Sequence, residues 1–271
     1  MVKATAVAED RSVQQSKFVT CCLRFFESEG LGLESDPKLL EFGCGHGELL
    51  AQFDAAGLHQ CFGFEVAGLK QSPEAFNAQK KFENIKLLRL PMIGNIPLEQ
   101  YALPFESEEF NLVVSNVVFE HVMNYETVAR ELSRTTAPGG VQVHLFPGPL
   151  RPLEGHTNLP FGGALHSLWY LRLYVLVSPY YRRHWAPAHA GLSNRQRAER
   201  MRFYLTKSCN YPSRRKIKKI FSPYFTSVSF EEANFFSHWP GGLAKVAKVM
   251  RIPPAEYLHN VLRLRVLVLR K

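Results

Sequence analysis

The run from Leu39 to Leu50, LLEFGCGHGELL, constrains this chain more than any other stretch. A short apolar segment, Leu39 to Phe42, carries one acid, Glu41, then breaks into Gly43, Gly45 and Gly47 before a helix-like segment starts at Glu48. It reads as a strand, a tight turn and a helix start. Glycine allows positive φ and lets the backbone lie against a ligand with no Cβ in the way. The first amides of the following helix point to the same place, so the turn offers donors to a nucleotide-like ligand.

The glycine spacing separates two cofactors that use such a turn. A dinucleotide fingerprint, G-x-G-x-x-G, would put its third glycine at position 48, where this chain has Glu48. The spacing here is G-x-G-x-G, preceded by Glu41, and this pattern resembles the first motif of the class I S-adenosylmethionine-dependent methyltransferases. The resemblance implies that Gly43, Cys44, Gly45 and Gly47 lie against the methionine end of that cofactor. It also implies that Glu41 supports the loop and the ammonium side. A purely structural glycine turn is the competing reading of the motif taken alone.

Later segments reproduce the family's order. Gln60 to Glu65 reads as a second buried strand, ending on an acid 18 residues after Gly47. A carboxylate at that tip can accept hydrogen bonds from both hydroxyls of a ribose, and the resemblance assigns the same role to Glu65. Gln71 to Lys81 reads as a helix and Ile85 to Leu90 as a strand. Counting back from Leu103-Pro104-Phe105 puts Glu99 at the family's adenine-side acid, although the preceding run is longer than the family's pattern. Phe110 to Ser115 reads as the fourth strand and delivers Asn116 to the carboxyl edge, where open α/β sheets bind ligands. Asn116 to Val122 (NVVFEHV), the helical stretch 124–134, the turn Ala137 to Gly140 and the strand Val141 to Phe146 complete the likeness over about residues 38 to 148.

The expected fold is α/β: a Rossmann-like class I methyltransferase sheet of seven strands, the last antiparallel, with helices on both faces and a cap inserted after the fifth strand. Residues 1–37 form an N-terminal helical segment, amphipathic over 9–29. Residues 38–148 form the S-adenosylmethionine-binding core, 149–210 a basic acceptor cap, and 211–271 a helix and the last two strands. Asn260 to Leu269 alternates Arg263 and Arg265 with aliphatic residues, which suits a strand with one solvated face.

Charge is distributed unevenly. Residues 1–150 carry 12 Lys and Arg against 19 Asp and Glu, while residues 151–271 carry 21 against 5. A basic half suits an anionic partner, whether a phosphate-bearing substrate, a nucleic acid or an anionic membrane, though a solvated basic face needs no partner at all. The five cysteines are odd in number and lack C-x-x-C spacing, so neither a disulfide framework nor a zinc site is expected. The N-terminus lacks a signal-peptide core and no apolar run reaches a membrane span's length, so a cytoplasmic location is expected.

Methyl transfer to a hydroxyl also requires loss of a proton, and histidine is the usual base near neutral pH. His121, after the fourth strand, and His156, in the loop with Glu154, are the two candidates; a structural imidazole and a solvated loop histidine are the competing readings. No metal site is indicated by spacing. Arginines interleaved with aromatics between Tyr180 and Phe203 would suit RNA, but the chain contains neither an RNA-binding module nor an N-P-P-[YF] motif. The segment EGHTNLPF resembles a loop of methyltransferases of bacterial surface-polysaccharide synthesis, which implies a small-molecule, sugar or glycan hydroxyl, anionic or lipid-linked. RNA, lipid or quinone methylation and non-catalytic cofactor binding are the alternatives. LHSLWYLRLYVLVSPYYRRHW, from Leu165 on, fits either a helix buried in the cap or one lying in a membrane interface with its cations at the headgroups.

Overall fold

A computed structural model describes residues 17–69, 72–242 and 264–271. A helix over residues 17–28 (α1) leads to strand Leu39–Phe42 (β1), helix Glu48–Ala55 (α2), strand Cys61–Gly68 (β2), helix Pro73–Asn77 (α3) and strand Ile85–Leu90 (β3). A short hairpin, Met92–Ile93 (β4) with Ile96–Pro97 (β5), precedes strand Phe110–Asn116 (β6), helix Tyr125–Thr135 (α4) and strand Thr136–Pro147 (β7). Then come helices Leu168–Val177 (α5), Pro179–His184 (α6), Asn194–Lys207 (α7) and Arg214–Phe221 (α8), strand Ser227–Phe230 (β8), helix Glu232–Ser237 (α9) and strand Leu264–Arg270 (β9).

Seven strands make one sheet in the order β3-β2-β1-β6-β7-β9-β8. The first five pair in parallel, and β9 runs antiparallel to both β7 and β8. This is the expected Rossmann-like arrangement. Strand order reverses between β1 and β6, which opens a crevice at their carboxyl ends. The glycine turn lies at the end of β1, on that crevice.

Alternation along the strands sorts side chains into two cores. Leu39, Leu112, Val114, Val143, Val266 and Val268 face the layer containing Phe25, Phe53 and Phe235. Leu40, Phe42, Val113, Phe146, Leu267 and Leu269 face the layer containing Leu132, Ile217 and Phe221. Helices α1, α2 and α9 thus cover one face, and α4 and α8 the other. A third, smaller core around Leu171, Tyr174, Met201 and Leu205 lies wholly within the insertion.

The structure corrects several boundaries. β2 continues three residues past Glu65, so this acid acts from within the strand and not from its last residue. Helix α3 is five residues long, stopped soon after the Ser72 cap and Pro73 that start it. The expectation of a solvated face on the last strand is overturned: β9 is buried on both faces, with Arg265 only 4% exposed and donating to the Pro212 carbonyl at 2.6 Å. Burial depresses its pKa to about 10, with the nearby Arg214 cation adding to the effect. Arg263 and residues 260–262, like Gln71 and the first residues of the N-terminal segment, lie outside the described residues.

Candidate active site

The turn after β1 takes its shape from two glycines in particular. Gly43 adopts φ 76°, and a Cβ there would collide with the Val118 side chain beyond β6. Gly47, at φ 93°, is the N-cap of α2 and offers no side-chain cap. Glu41 takes over part of that role: its carboxyl group, 3% exposed, accepts the Leu50 amide of the first helical turn. Its other oxygen, Oε2, has no hydrogen-bond partner among the described residues. Burial, reinforced by the Glu65 and Glu48 charges, drives its pKa well above the carboxylate range.

Glu65 bends back onto the turn. Its Oε2 accepts the Gly45 amide at 2.7 Å and its Oε1 accepts the Val66 amide at 3.0 Å. Burial raises its pKa, and those two amides oppose the rise. Gly45 itself sits at φ 53° with open space where a Cβ would be. The acid and the open Gly45 thus lie together at the carboxyl edge of the sheet.

A cavity of about 130 Å³ opens beside this turn. Gly43, Glu65 and Val66 form one wall, the β4–β5 hairpin and Tyr101 a second, and Val118, His121 and Asn124 a third. Of the sequence-predicted residues, Gly43, Glu65 and His121 thus line one space. Gly45 joins it through Glu65. The Cys44 side chain faces away into the core, where a Cβ on Gly63 would meet its Sγ. Asn116 and Glu99 are outside the lining, and Glu99 is exposed. Tyr101, two residues after Glu99, takes the wall position. Glu131 and Arg134 of α4 clamp its loop: Glu131 accepts the Leu103 amide at 2.9 Å, and Arg134 donates to the Leu103 and Phe105 carbonyls.

His121 and His156 meet. Their Nε2 atoms are 3.1 Å apart, His121 Nδ1 lies 2.7 Å from the Ser208 carbonyl, and His156 Nδ1 lies 2.8 Å from Glu154 Oε1. Glu154 is buried and accepts from the Thr157 amide and hydroxyl and from the Tyr211 hydroxyl. Burial alone would raise its pKa, yet these donors and the His156 charge hold it down to about 2. Glu120, fully buried beside them, behaves oppositely: burial pushes it up to about 7. Neither of its carboxylate oxygens has a hydrogen-bond partner among the described residues. Sequence reasoning missed Glu120, Tyr101, Ser208 and Asn95. Glu120 alone left a signal, as the acid of the NVVFEHV run.

Val117 carries backbone strain at the same edge. A β-branched residue at φ 57° is sterically disfavoured, and this one connects β6 to the segment bearing Val118, Glu120 and His121.

Residues 22–224 match the family model described as a methyltransferase domain. The chain is 27% identical over 145 residues to a malonyl-acyl-carrier-protein O-methyltransferase of Paenibacillus sp., covering 53% of this chain and 51% of the relative. It is 26% identical over 149 residues to an uncharacterized methyltransferase of Mycobacteroides abscessus, covering 54% of each. The chain therefore spans about half the length of the curated relatives it matches. A solved S-adenosylmethionine-dependent methyltransferase of Mesorhizobium loti is 12% identical, with 87% and 91% of the two chains covered and a TM-score of 0.46.

Proposed function

This chain belongs to the methyltransferase-domain family, and we propose that it is an S-adenosylmethionine-dependent methyltransferase that methylates an oxygen of a small-molecule, sugar or glycan acceptor held beneath the 149–210 cap. One observation carries this reading. The cavity that has the glycine turn and Glu65 on one wall has His121 on another, and His121 is tied through His156 to a buried carboxylate.

The residues present fit the cofactor. The turn leaves its backbone open at Gly45, Glu65 offers a carboxylate to a ribose, and Glu41 steadies the turn from below. The cofactor supplies a methyl group on a positively charged sulfur. The chain's contribution is chiefly to hold an acceptor atom in line behind that methyl. A hydroxyl must also lose its proton, and the imidazole pair backed by Glu154 is the polar group at the cavity wall equipped to receive it. The Paenibacillus relative is named an O-methyltransferase, which agrees with oxygen as the accepting atom.

Transfer from methyl-labelled S-adenosylmethionine to acceptors presenting a hydroxyl, carboxylate, amine or thiol tests the reading. Label on oxygen is expected; label on nitrogen, sulfur or carbon alone overturns it.

One surface feature supports a second element, a lipid-linked acceptor met at a membrane. Helix α5 buries Leu171, Tyr174 and Val175, yet leaves Trp169, Leu173, Leu176 and Val177 exposed beside exposed Arg172, Arg182 and Arg183. No helix among the described residues is long and apolar enough to cross a membrane. An apolar stripe rimmed by cations suits the surface of an anionic bilayer.

A further inference from the structure

Glu120, His121 and His156 bring one ligand atom each to within 4.8 Å of one another. The hydrogen bonds around the two rings fix where their protons sit. A carbonyl oxygen only accepts, so His121 Nδ1, facing the Ser208 carbonyl, carries its hydrogen. Glu154 accepts on both oxygens, from Thr157 on one and Tyr211 on the other, so His156 Nδ1 donates to it and also carries its hydrogen. When both rings are neutral, each Nε2 therefore presents a lone pair to the other at 3.1 Å. Two lone pairs held face to face call for a positive species between them. Next to them lies Glu120, a fully buried carboxylate with neither oxygen partnered among the described residues. A proton shared by the rings would leave that carboxylate unsatisfied.

We propose that Glu120, His121 and His156 form a binding site for one divalent first-row transition cation, ligated by two imidazole nitrogens and a carboxylate. Two nitrogens each about 2.1 Å from one ion and at right angles are about 3 Å apart, which is the spacing of the two Nε2 atoms. Glu154 and the Ser208 carbonyl orient the rings from behind, as outer partners of metal-bound histidines do. A mixed nitrogen and oxygen donor set with open positions suits Mn²⁺, Fe²⁺ or Co²⁺. The overlapping group Glu154, His156 and Cys209 is the weaker set, because both Glu154 oxygens are already engaged by donors. His121 also lines the cofactor cavity, so the cation would lie where an acceptor oxygen can complete its shell; with both Nε2 lone pairs taken, the cation would ease that hydroxyl's loss of its proton to water, in place of the imidazole base of the unloaded site.

The site can be tested without any acceptor. Chelator-stripped full-length protein is titrated with Mn²⁺, and the free ion is followed by electron paramagnetic resonance. One Mn²⁺ per chain is expected. Glu120→Gln and His156→Gln should each weaken it by about tenfold or more. His59→Gln, at a surface histidine paired with Asp54, should leave it unchanged. S-adenosylmethionine binding by calorimetry reports whether each variant is folded and separates a failed cation site from a failed methyltransferase reading. A wild-type chain that leaves millimolar Mn²⁺ free, or folded variants that bind it as tightly as wild type, would overturn the proposal.

Discussion

Nε2 of His121 lies 3.1 Å from Nε2 of His156, although one residue follows β6 and the other belongs to the loop after β7. The two strands are parallel neighbours, so both segments leave the sheet at the same carboxyl edge. The cap is anchored to that edge as well: the Asn210 amide donates to the Glu120 carbonyl at 2.6 Å, and the Asn95 amide of the hairpin donates to the Lys207 carbonyl at 2.7 Å. The cap therefore braces two of the segments that line the cavity, the hairpin and the stretch bearing His121.

The two glycines of the turn should fail in different ways. Gly43→Ala combines left-handed φ with a clash against Val118 and should lower the melting temperature as well as cofactor affinity. Gly45→Arg carries left-handed strain too but meets no protein atom at its Cβ, so a smaller loss of stability and a folded chain that no longer binds S-adenosylmethionine are expected. Thermal melts and calorimetry on the same preparations separate the two effects. Equal loss of stability in both variants would contradict the open approach at Gly45.

Glu65 accepts the Gly45 amide, and in the proposed reading it also takes the cofactor's ribose. Glu65→Ala should reduce S-adenosylmethionine affinity by roughly tenfold or more, the scale of a lost charge-assisted hydrogen bond at about 1.5–3 kcal/mol. Glu65→Gln should fall between the two. Unchanged affinity by calorimetry in the alanine variant would remove Glu65 from the site.

At Gly94, φ is 61° and a Cβ would run into the Lys207 carbonyl at the end of α7. Gly94→Ala should push the hairpin and the cap apart. Because Met92, Asn95 and Pro97 line the cavity, cofactor affinity and methyl transfer should both decline. An alanine variant that loses transfer yet binds the cofactor as tightly as wild type would show that the cap acts on the acceptor alone.

Acid should loosen the carboxyl-terminal strand. Arg270 of β9 donates to Glu29 at 2.5 Å and to both oxygens of Glu231, at 2.6 and 3.2 Å. Burial would raise the Glu231 pKa, but Arg270, Ser229 and Asn234 together hold it below the carboxylate range. The unfolded chain thus binds this proton more readily, so the stabilisation is complete above the ordinary carboxylate pKa and is lost as pH falls through the lowered value. Melting temperature should drop below about pH 5, and Glu231→Gln should flatten that dependence while costing about 1–3 kcal/mol at neutral pH. An identical pH profile in the variant would exclude the pair as its source.

How much of this was legible follows from range. β1 and β3 coincide with their sequence-predicted bounds because apolar runs ending in glycine or proline are local signals. Glu65 was recognisable as the acid after the second strand, whereas its turn back onto Gly45 depends on β1 and β2 lying side by side. Arg265 read as solvent-facing because the pattern of β9 cannot show that the segment at Pro212 lies over it and takes its guanidinium. The Glu120, His121 and His156 group has no sequence spacing to betray it, since 35 residues separate the two histidines and only the cap brings them together.

The exposed side of α5 gives the last prediction. Trp169, 72% exposed, lies four residues before Leu173, which lies three before Leu176 and four before Val177, so they form one stripe along the helix. Such a stripe costs free energy in water unless something covers it. Its rim of Arg172, Arg182 and Arg183 would meet anionic headgroups while the apolar side chains enter the acyl boundary. Co-sedimentation with phosphatidylserine-containing vesicles should therefore occur and weaken with salt. Trp169→Ser with Leu173→Ser should abolish it without unfolding the cap, whose core is built from Leu171, Tyr174, Val175 and their partners on α7. Arg182→Gln with Arg183→Gln should remove the salt dependence. If wild-type protein stays in the supernatant at low salt, the stripe does not meet a membrane, and the lipid-linked acceptor loses its support.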